Sequence, residues 1–277
     1  MSPTLNAFVP AAGIGERLRP ITLHTPKSLL PVLGQPLLSR TLDRLAVLGV
    51  DRIGLNLFHK PDAIVSWVKT SPYRERACFF TEDSLLGTGG ALKNAEPFLR
   101  ETAFIVHNPD ILTDIDLDAL VRAHRASGNI VTLALHDFPA FNKVAVDPAG
   151  RVVGVGEVVA ASGAARILAF TGIAVYDPEF LDFLPHGASN VVDAWLDAIR
   201  AGRTVGCFDA TGRLWHDIGT PASYAAALVD TLRRDGEWIY AARDVQGSHI
   251  ELDGYVVIED RCTLGDGAAL RNCILVP

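Results

Sequence analysis

FVPAAGIGERLRPITLHTPKSLLPVLGQP, residues 8–36, is the stretch from which the rest of this 277-residue chain can be understood. A short apolar run, Ala7 to Val9, ends in a loop of small residues, Ala11, Ala12, Gly13 and Gly15, and two cations, Arg17 and Lys27, stand just beyond it. Glycines let backbone N–H groups reach an anion with no Cβ in the way, and successive amides in such a turn form an anion-binding nest. The stretch therefore has the outline of a phosphate site at the end of a strand. Two familiar glycine patterns are excluded. No glycine precedes Lys27 and Leu92 precedes Lys93, so the P-loop pattern G-x-x-x-x-G-K-[ST] is absent. The dinucleotide fingerprint needs a third glycine opening a helix, whereas Gly15 is followed by Arg17, Leu18 and Pro20.

Outward from that loop, residues 6–136 alternate short apolar runs with longer amphipathic ones. Strands are predicted at 7–9, 52–57, 77–81, 103–106 and 130–135, and helices at 36–48, 61–69, 89–98 and 116–126. This alternation implies right-handed crossovers and an α/β fold with a Rossmann-like, mostly parallel sheet covered by helices. Ligands of such sheets bind beyond the carboxyl ends of the strands, where the Gly13 loop falls. Residues 143–147 and 151–155, around a Pro-Ala-Gly turn, read as a β-hairpin, and 167–176 as a further strand flanking the active edge. Helical patterns return at 190–201 and 222–234 around a strand at 204–208, so a catalytic domain is expected over 1–235.

The segment 236–277 has another character. Leu252, Ile258, Leu264, Leu270 and Val276 recur every six residues, with Val256, Cys262, Ala268 and Ile274 at the same period between them. A hexapeptide repeat predicts a short left-handed parallel β-helix. At three hexads a turn it holds little more than one coil, so it must pack on the catalytic domain or on a neighbouring subunit, and a homo-oligomer, dimer or tetramer, is expected.

Composition narrows the function. A hydrophobic share of 49% supports a full core, and a net charge of −7 with a pI near 5.6 argues against a general nucleic-acid binder. Cys78, Cys207, Cys262 and Cys273 are widely spaced, with no C-x-x-C pair and no histidine cluster, which supports neither a zinc site nor a disulfide framework. The N-terminus lacks the basic and apolar regions of a signal peptide, and no apolar run approaches the ~18 residues that span a bilayer. A cytoplasmic protein with no membrane partner is the expectation.

Three pieces, G-x-G-x-R-L-x-P at 13–20, T-P-K-x-L-L-P-V at 25–32 and Q-P-L-L at 35–38, together resemble the signature of the sugar-1-phosphate nucleotidylyltransferases. That family joins a nucleoside triphosphate to a sugar 1-phosphate with loss of pyrophosphate. The acceptor is already ionised at neutral pH, so catalysis must position two polyanions and neutralise charge on the α-phosphate rather than supply a side-chain nucleophile. The resemblance gives Arg17 and Lys27 the catalytic role and Ala11, Ala12, Gly13 and Gly15 the triphosphate. Mg2+ prefers one or two carboxylates plus phosphate oxygens and water. Asp110, after the apolar run 103–106, and Asp217, in L-W-H-D-I-G-T-P, match the family's metal aspartates. Asp114 and Asp116 are read as loop and helix-cap residues, and His107 and His216 as structural or supporting the metal ligands.

Thr81 to Leu92, TEDSLLGTGGAL, resembles the family's base-binding loop, so Glu82, Gly87, Thr88 and Gly89 are assigned to the nucleotide, the glycines, with Gly90, letting backbone lie flat against a base. An ionised glutamate only accepts, which suits the adjacent N–H and NH2 of guanine and, less fully, the ring N–H of uracil. Glu157, Thr171, Gly172, Asn142 and Lys143 are assigned to the sugar phosphate. Val158 stands where many members have a lysine, so Lys143 is the candidate cation, and Pro109 replaces the usual glycine before the metal aspartate. The nearest branches are GDP-mannose pyrophosphorylase-like and N-acetylmuramate-1-phosphate uridylyltransferase-like. A non-catalytic nucleotide-sugar sensor and a phosphocholine cytidylyltransferase are the readings from other classes.

Overall fold

The structure is a computed structural model, described for residues 5–156 and 164–276. Glu157 and Val158 lie outside the described residues. The chain begins with β1 (Asn6–Pro10), a small hairpin of β2 (Pro31–Val32) and β3 (Gln35–Pro36), α1 (Leu37–Leu48), β4 (Ile53–Leu57), α2 (Pro61–Thr70) and β5 (Ala77–Thr81). It continues through α3 (Gly87–Asn94), α4 (Glu96–Leu99), β6 (Phe104–His107), β7 (Ile111–Thr113), α5 (Leu117–Ser127) and β8 (Val131–His136). The insert supplies β9 (Val144–Val146), β10 (Val152–Val155) and β11 (Arg166–Tyr176). Then come α6 (Val191–Arg200), β12 (Val205–Asp209), β13 (Trp215–Asp217), α7 (Pro221–Arg234), β14 (Ile239–Ala241), β15 (Glu251–Ile258) and β16 (Ala269–Leu275).

The central sheet runs β10-β9-β11-β6-β1-β4-β5, with β8 joining β11 to β12. β1 pairs in parallel with β4 and β6, β4 with β5, and β8 with β12. β1 and β4 are buried on both faces, which is why they read as mostly apolar rather than alternating, with Asn6 and Asn56 their buried polar members. The eleven-residue β11 is the antiparallel seam: it pairs with β6, β8 and β9, and a register shift between Phe170 and Ala174 lets it serve both halves. The insert hairpin thus belongs to the same sheet as the catalytic core. The helix expected over 89–98 is two: α3 ends at Asn94, Ala95 separates them, and α4 restarts with Pro97 in its first turn, where a missing N–H costs nothing.

Two apolar cores lie on the two faces of the sheet, one around Phe8, Phe104, Tyr176 and Trp195, the other around Val9, Leu42, Leu55 and Val175. A third forms away from the sheet. Leu18, Leu30, Val32 and Leu37 from the N-terminal stretch meet Leu112, Ile218, Tyr224, Leu228 and Leu232, and Val257 of β15 completes the cluster. The C-terminal segment is therefore built into the core behind the N-terminal loops.

That segment is a parallel sheet ordered β14-β15-β16. Leu252 pairs with Leu270 and Val256 with Cys273, partners eighteen and seventeen residues apart, which is the spacing of three hexads per turn. The sheet is short, and its parallel stacking is the part of the β-helix expectation that it bears out. Among the described residues, no helix is long and apolar enough to cross a membrane.

Candidate active site

β1, β4, β5 and β6 all end on one edge of the sheet, and the loops that follow them meet there. The loop after β1 is anchored at its base, where Ala11 N donates to Asn56 Oδ1 at 2.7 Å. Beyond Ala12 it opens. A Cβ on Gly13 would meet nothing within 4 Å, and among the described residues the amides of Gly13 and Ile14 donate to no backbone carbonyl. Gly15 turns the chain at φ 68°, close against Thr22 and Lys27, whose atoms lie 3.0 and 3.2 Å from where a Cβ would stand. The result is a cavity of about 500 Å3 lined by Gly13, Gly15, Arg17, Lys27, Asp110 and Ser28. Ser28 was not singled out by sequence reasoning. Its hydroxyl is buried in the cavity wall with no protein partner, a donor left for a ligand.

A second cavity of about 200 Å3 opens beside it, lined by Ala12, Gly13, Asn56, Glu82, Leu85, Gly87 and Thr88. Glu82 is only 5% exposed, so it is not a solvent-facing residue. Its Oε1 accepts from Asn56 Nδ2 at 2.6 Å and its Oε2 from Leu86 N at 3.0 Å. Asn56 therefore ties the phosphate loop to the base loop, a role for which the sequence gives no local signal. Glu82 both shapes the loop and presents carboxylate oxygens to the cavity, each with a lone pair remaining.

The glycines of the base loop require a correction. A Cβ on Gly87 would sit 2.7 Å from Ser189 O, one on Gly89 2.7 Å from Ser189 Oγ, and one on Gly90 2.3 Å from Gly187 O. Gly89 N donates to Ser189 O at 2.9 Å, and Thr88 Oγ1 accepts from Val191 N at 3.0 Å. Gly89 and Gly90 are small because α3 packs against the 187–191 segment, and Thr88 is occupied in joining the two helix starts. Gly87 and Thr88 still border the cavity.

Asp110 and Asp217 are brought together by a strand pair too short to stand out in the sequence. β7 and β13 pair antiparallel, Ile111 opposite Asp217, and Ile218 N donates to Asp110 O at 3.0 Å. The D-I-G-T-P run then has a reason at each position. Ile218 is fully buried in the third core, and Gly219 leaves room for Arg17, whose Nη2 lies 2.8 Å from where a Cβ would be. Thr220 caps α7 in a capping box with Ser223, and Pro221 follows in the first turn. Lys27 Nζ forms an ion pair with Asp110 Oδ2. Burial, and next the neighbouring Asp110 charge, push the Asp217 carboxyl above the usual carboxylate range, while Lys27 and Arg17 pull it back.

Two neighbouring carboxylates, one of them lining the cationic cavity, fit a hard divalent cation. Among the described residues, no three His, Cys, Asp or Glu side chains are grouped to hold a metal by themselves, so substrate oxygens would have to complete the shell. That is the habit of magnesium rather than zinc. Burial lowers His107 to about 4, and its Nδ1 lies 2.9 Å from Asn108 O. Burial also lowers His216, which rests 3.2 Å from Asp230. Asp116 caps α5 by accepting from Ala119 N, and Asp114 accepts from Leu214 N, the loop and cap roles expected of them.

A third cavity, of about 320 Å3, lies on the insert side. Arg17, Asp110 and Asp217 form one end, Lys143, Thr171 and Gly172 a side, and the rings of Phe141, Phe170, Trp195 and Trp215 much of the rest. Phe141 meets Trp215 edge to face at a centroid distance of 5.8 Å, and Phe170 meets Trp195 at 5.0 Å. This aromatic wall was not anticipated, because its members come from three separate elements and a loop. Thr171 is fully buried and its hydroxyl donates to Ala134 O at 2.8 Å, so it shapes the wall. Asn142 does not line the cavity: its Nδ2 donates to Asp137 Oδ1 and its Oδ1 accepts from Phe138 N, closing a turn. The three cavities share one residue, Asp110.

The model of a family described as nucleotidyl transferase matches residues 7–234. The mannose-1-phosphate guanylyltransferase of Mycobacterium tuberculosis is 31% identical over 281 residues, covering 99% of this chain and 77% of that one. The UTP–glucose-1-phosphate uridylyltransferase of Synechocystis is 27% identical, covering 96% and 76%. Among solved structures, HddC from Yersinia pseudotuberculosis complexed with GMP-PN aligns with a TM-score of 0.67 at 25% identity, over 82% of this chain and 99% of that one.

Proposed function

The chain belongs to the nucleotidyl transferase family, and from that premise we propose that it transfers a nucleotidyl group from a nucleoside triphosphate to a sugar 1-phosphate. GTP with mannose 1-phosphate or a related sugar is the favoured pair. The observation that carries this reading is the meeting of three cavities at Asp110: a cationic one, one walled by a carboxylate, and one walled by aromatic rings.

The phosphate oxygen of the acceptor attacks the α-phosphorus. A bond to that oxygen forms as the bond from the α-phosphorus to the bridging oxygen breaks, and pyrophosphate leaves with the electron pair. The Gly13 loop and Ser28 donate hydrogen bonds to the triphosphate, and Lys27 faces its charge. Arg17, which borders both the phosphate and the acceptor cavities, stabilises the charge growing between them. Asp110 and Asp217 would hold a divalent cation, Mg2+ in this reading, which supplies charge neutralisation at the α-phosphate. Lys143 receives the acceptor phosphate. Glu82 accepts from the base, and two adjacent donors of guanine satisfy it better than the single N–H of uracil.

A uridylyltransferase acting on N-acetylmuramate 1-phosphate or another hexose 1-phosphate is the second reading. It draws on the same Glu82, and on the aromatic wall, which favours an acceptor with an apolar substituent. A sensor without activity would have no use for two carboxylates and two cations gathered at one point. We further assign the enzyme to the cytoplasm as a homo-oligomer, with its C-terminal sheet a short left-handed β-helix segment. The four cysteines are free, as a reducing compartment requires. The test is phosphorus NMR of GTP, mannose 1-phosphate and Mg2+ with the protein: a nucleoside diphosphate sugar and pyrophosphate in equal amounts are expected. Nucleoside diphosphate and inorganic phosphate instead would contradict the transfer.

A further inference from the structure

Glu259 follows the last residue of β15, more than two hundred residues from the N-terminal loops, and its side chain is fully buried. Its Oε1 accepts from Leu33 N and its Oε2 from Gly34 N, both at 2.8 Å. Those amides belong to the tight turn between β2 and β3, where Leu33 at φ 51° and Gly34 at φ 76° are both left-handed. Such a turn aims successive N–H groups to one side, and the carboxylate takes both. Tyr240, from β14, closes the other side: a Cβ on Gly34 would sit 2.2 Å from its hydroxyl. A buried carboxylate is costly to desolvate unless such donors meet it, so this contact has one geometry that satisfies it.

The turn lies at the far end of the segment that begins with Lys27. Between them, Leu30 and Val32 are buried in the third core, Arg40 Nη2 donates to Val32 O at 2.7 Å, and the Tyr224 hydroxyl donates to Pro31 O. Tyr224 lies on α7, immediately after the turn that follows Asp217. The Lys27 segment is thus held by α7 at Pro31 and by the C-terminal sheet at Leu33 and Gly34.

The geometry points to Glu259 as a positioning residue for nucleotidyl transfer: by fixing the Leu33–Gly34 turn it sets the place of Lys27 at the triphosphate. The C-terminal segment is in this way part of the catalytic apparatus rather than an appendage for assembly. This role rests on the transfer reading above.

The test uses the full chain and three variants. Glu259→Gln keeps the shape but turns one oxygen into a donor that faces an N–H. It should lower kcat/KM for the triphosphate by about 10- to 100-fold, the scale of a small misplacement at a reacting centre, with KM for the sugar phosphate unchanged. Glu259→Asp, which keeps the charge but withdraws it by one methylene, should lose less in the same parameter. Val68→Ala removes buried bulk from α2, outside the third core, and should lower the melting temperature with wild-type kinetics well below it. If Glu259→Gln also keeps wild-type kinetics, or loses both substrates equally, the positioning role is wrong. If Glu259→Gln does not fold, Glu259→Asp decides by the same criterion. Should the wild type turn nothing over, that counts against the transfer reading, and triphosphate binding by calorimetry decides this one: equal affinity in wild type and Glu259→Gln overturns it.

Discussion

Lys27 and Asp110, eighty-three positions apart in the sequence, form an ion pair where the three cavities meet. The lysine comes from the loop after β1 and the aspartate from the loop after β6, neighbouring parallel strands. Each is about one-fifth exposed, so neither is needed to hold a core together. Their pairing keeps the carboxylate compensated beside Asp217, and a bound polyphosphate with its cation offers both residues new partners.

Asp110→Asn and Lys27→Ala should each reduce turnover by at least about 100-fold, the usual effect of removing one preorganised charge at a phosphoryl centre. Circular dichroism and melting temperature should stay near the wild type. Pyrophosphate release measured on both variants checks this, and wild-type rates in either would remove that residue from the site.

Glu82→Gln replaces an acceptor with a donor on one side of the carboxyl group. The wild type should prefer GTP over UTP, and the variant should lose about 10- to 100-fold in kcat/KM for GTP, the size of one lost base-edge pairing. Competition between GTP and UTP in one reaction reads the ratio directly. An unchanged ratio would restrict Glu82 to its bonds with Asn56 and Leu86.

Gly90→Ala places a methyl group against the Gly187 carbonyl, backbone that cannot rotate away. It should destabilise the protein by about 1–3 kcal/mol, the range for an overpacked contact, and raise KM for the triphosphate as the base loop shifts. Gly13→Ala, with open space around its Cβ, should leave stability nearly unchanged. Urea unfolding of the two variants separates packing from ligand access.

His107 gives the stability a pH dependence. Burial lowers its folded value to about 4 against about 6.5 unfolded, because a second ring proton would lie on a buried Nε2 that has no partner. The unfolded chain takes up that proton first, so the contribution is complete above pH ~6.5 and is lost as pH falls towards 4, on the order of 3 kcal/mol in all. Burial shifts His124 in the same direction. His107→Asn, which retains a donor for the Asn108 carbonyl, should flatten the curve of unfolding free energy between pH 6.5 and 4, whatever it does to stability at neutral pH.

The parts of this molecule that could be read in the sequence are those with a local cause. Apolar runs placed the parallel strands, the helical pattern at 222–234 placed α7, and the hexads matched the spacing at which β15 and β16 stack. Asp110, Asp217, Arg17 and Lys27, which line adjoining cavities, stand in motifs that are short and continuous. What could not be read depends on distant partners. β7 and β13 have three residues each and exist only because they pair with each other. The need for glycine at 89 and 90 comes from a segment about a hundred residues later, and the same residues had a plausible local explanation at the base. Asn142 stood next to Lys143, but its amide was already used in closing a turn. Phe141, Phe170, Trp195 and Trp215 carry no signal one at a time, and they wall a cavity only when the fold assembles them.

The most direct test of the transfer reading is pyrophosphate release with Mg2+ across GTP, UTP, dTTP, ATP and CTP, each against mannose-, glucose-, N-acetylglucosamine-, N-acetylmuramate- and heptose-1-phosphates and phosphocholine. Release confined to one base and a small group of related sugar 1-phosphates is expected, with GTP and mannose 1-phosphate or a near relative the most active pair. Release with phosphocholine alone, or none with any sugar 1-phosphate, would contradict it.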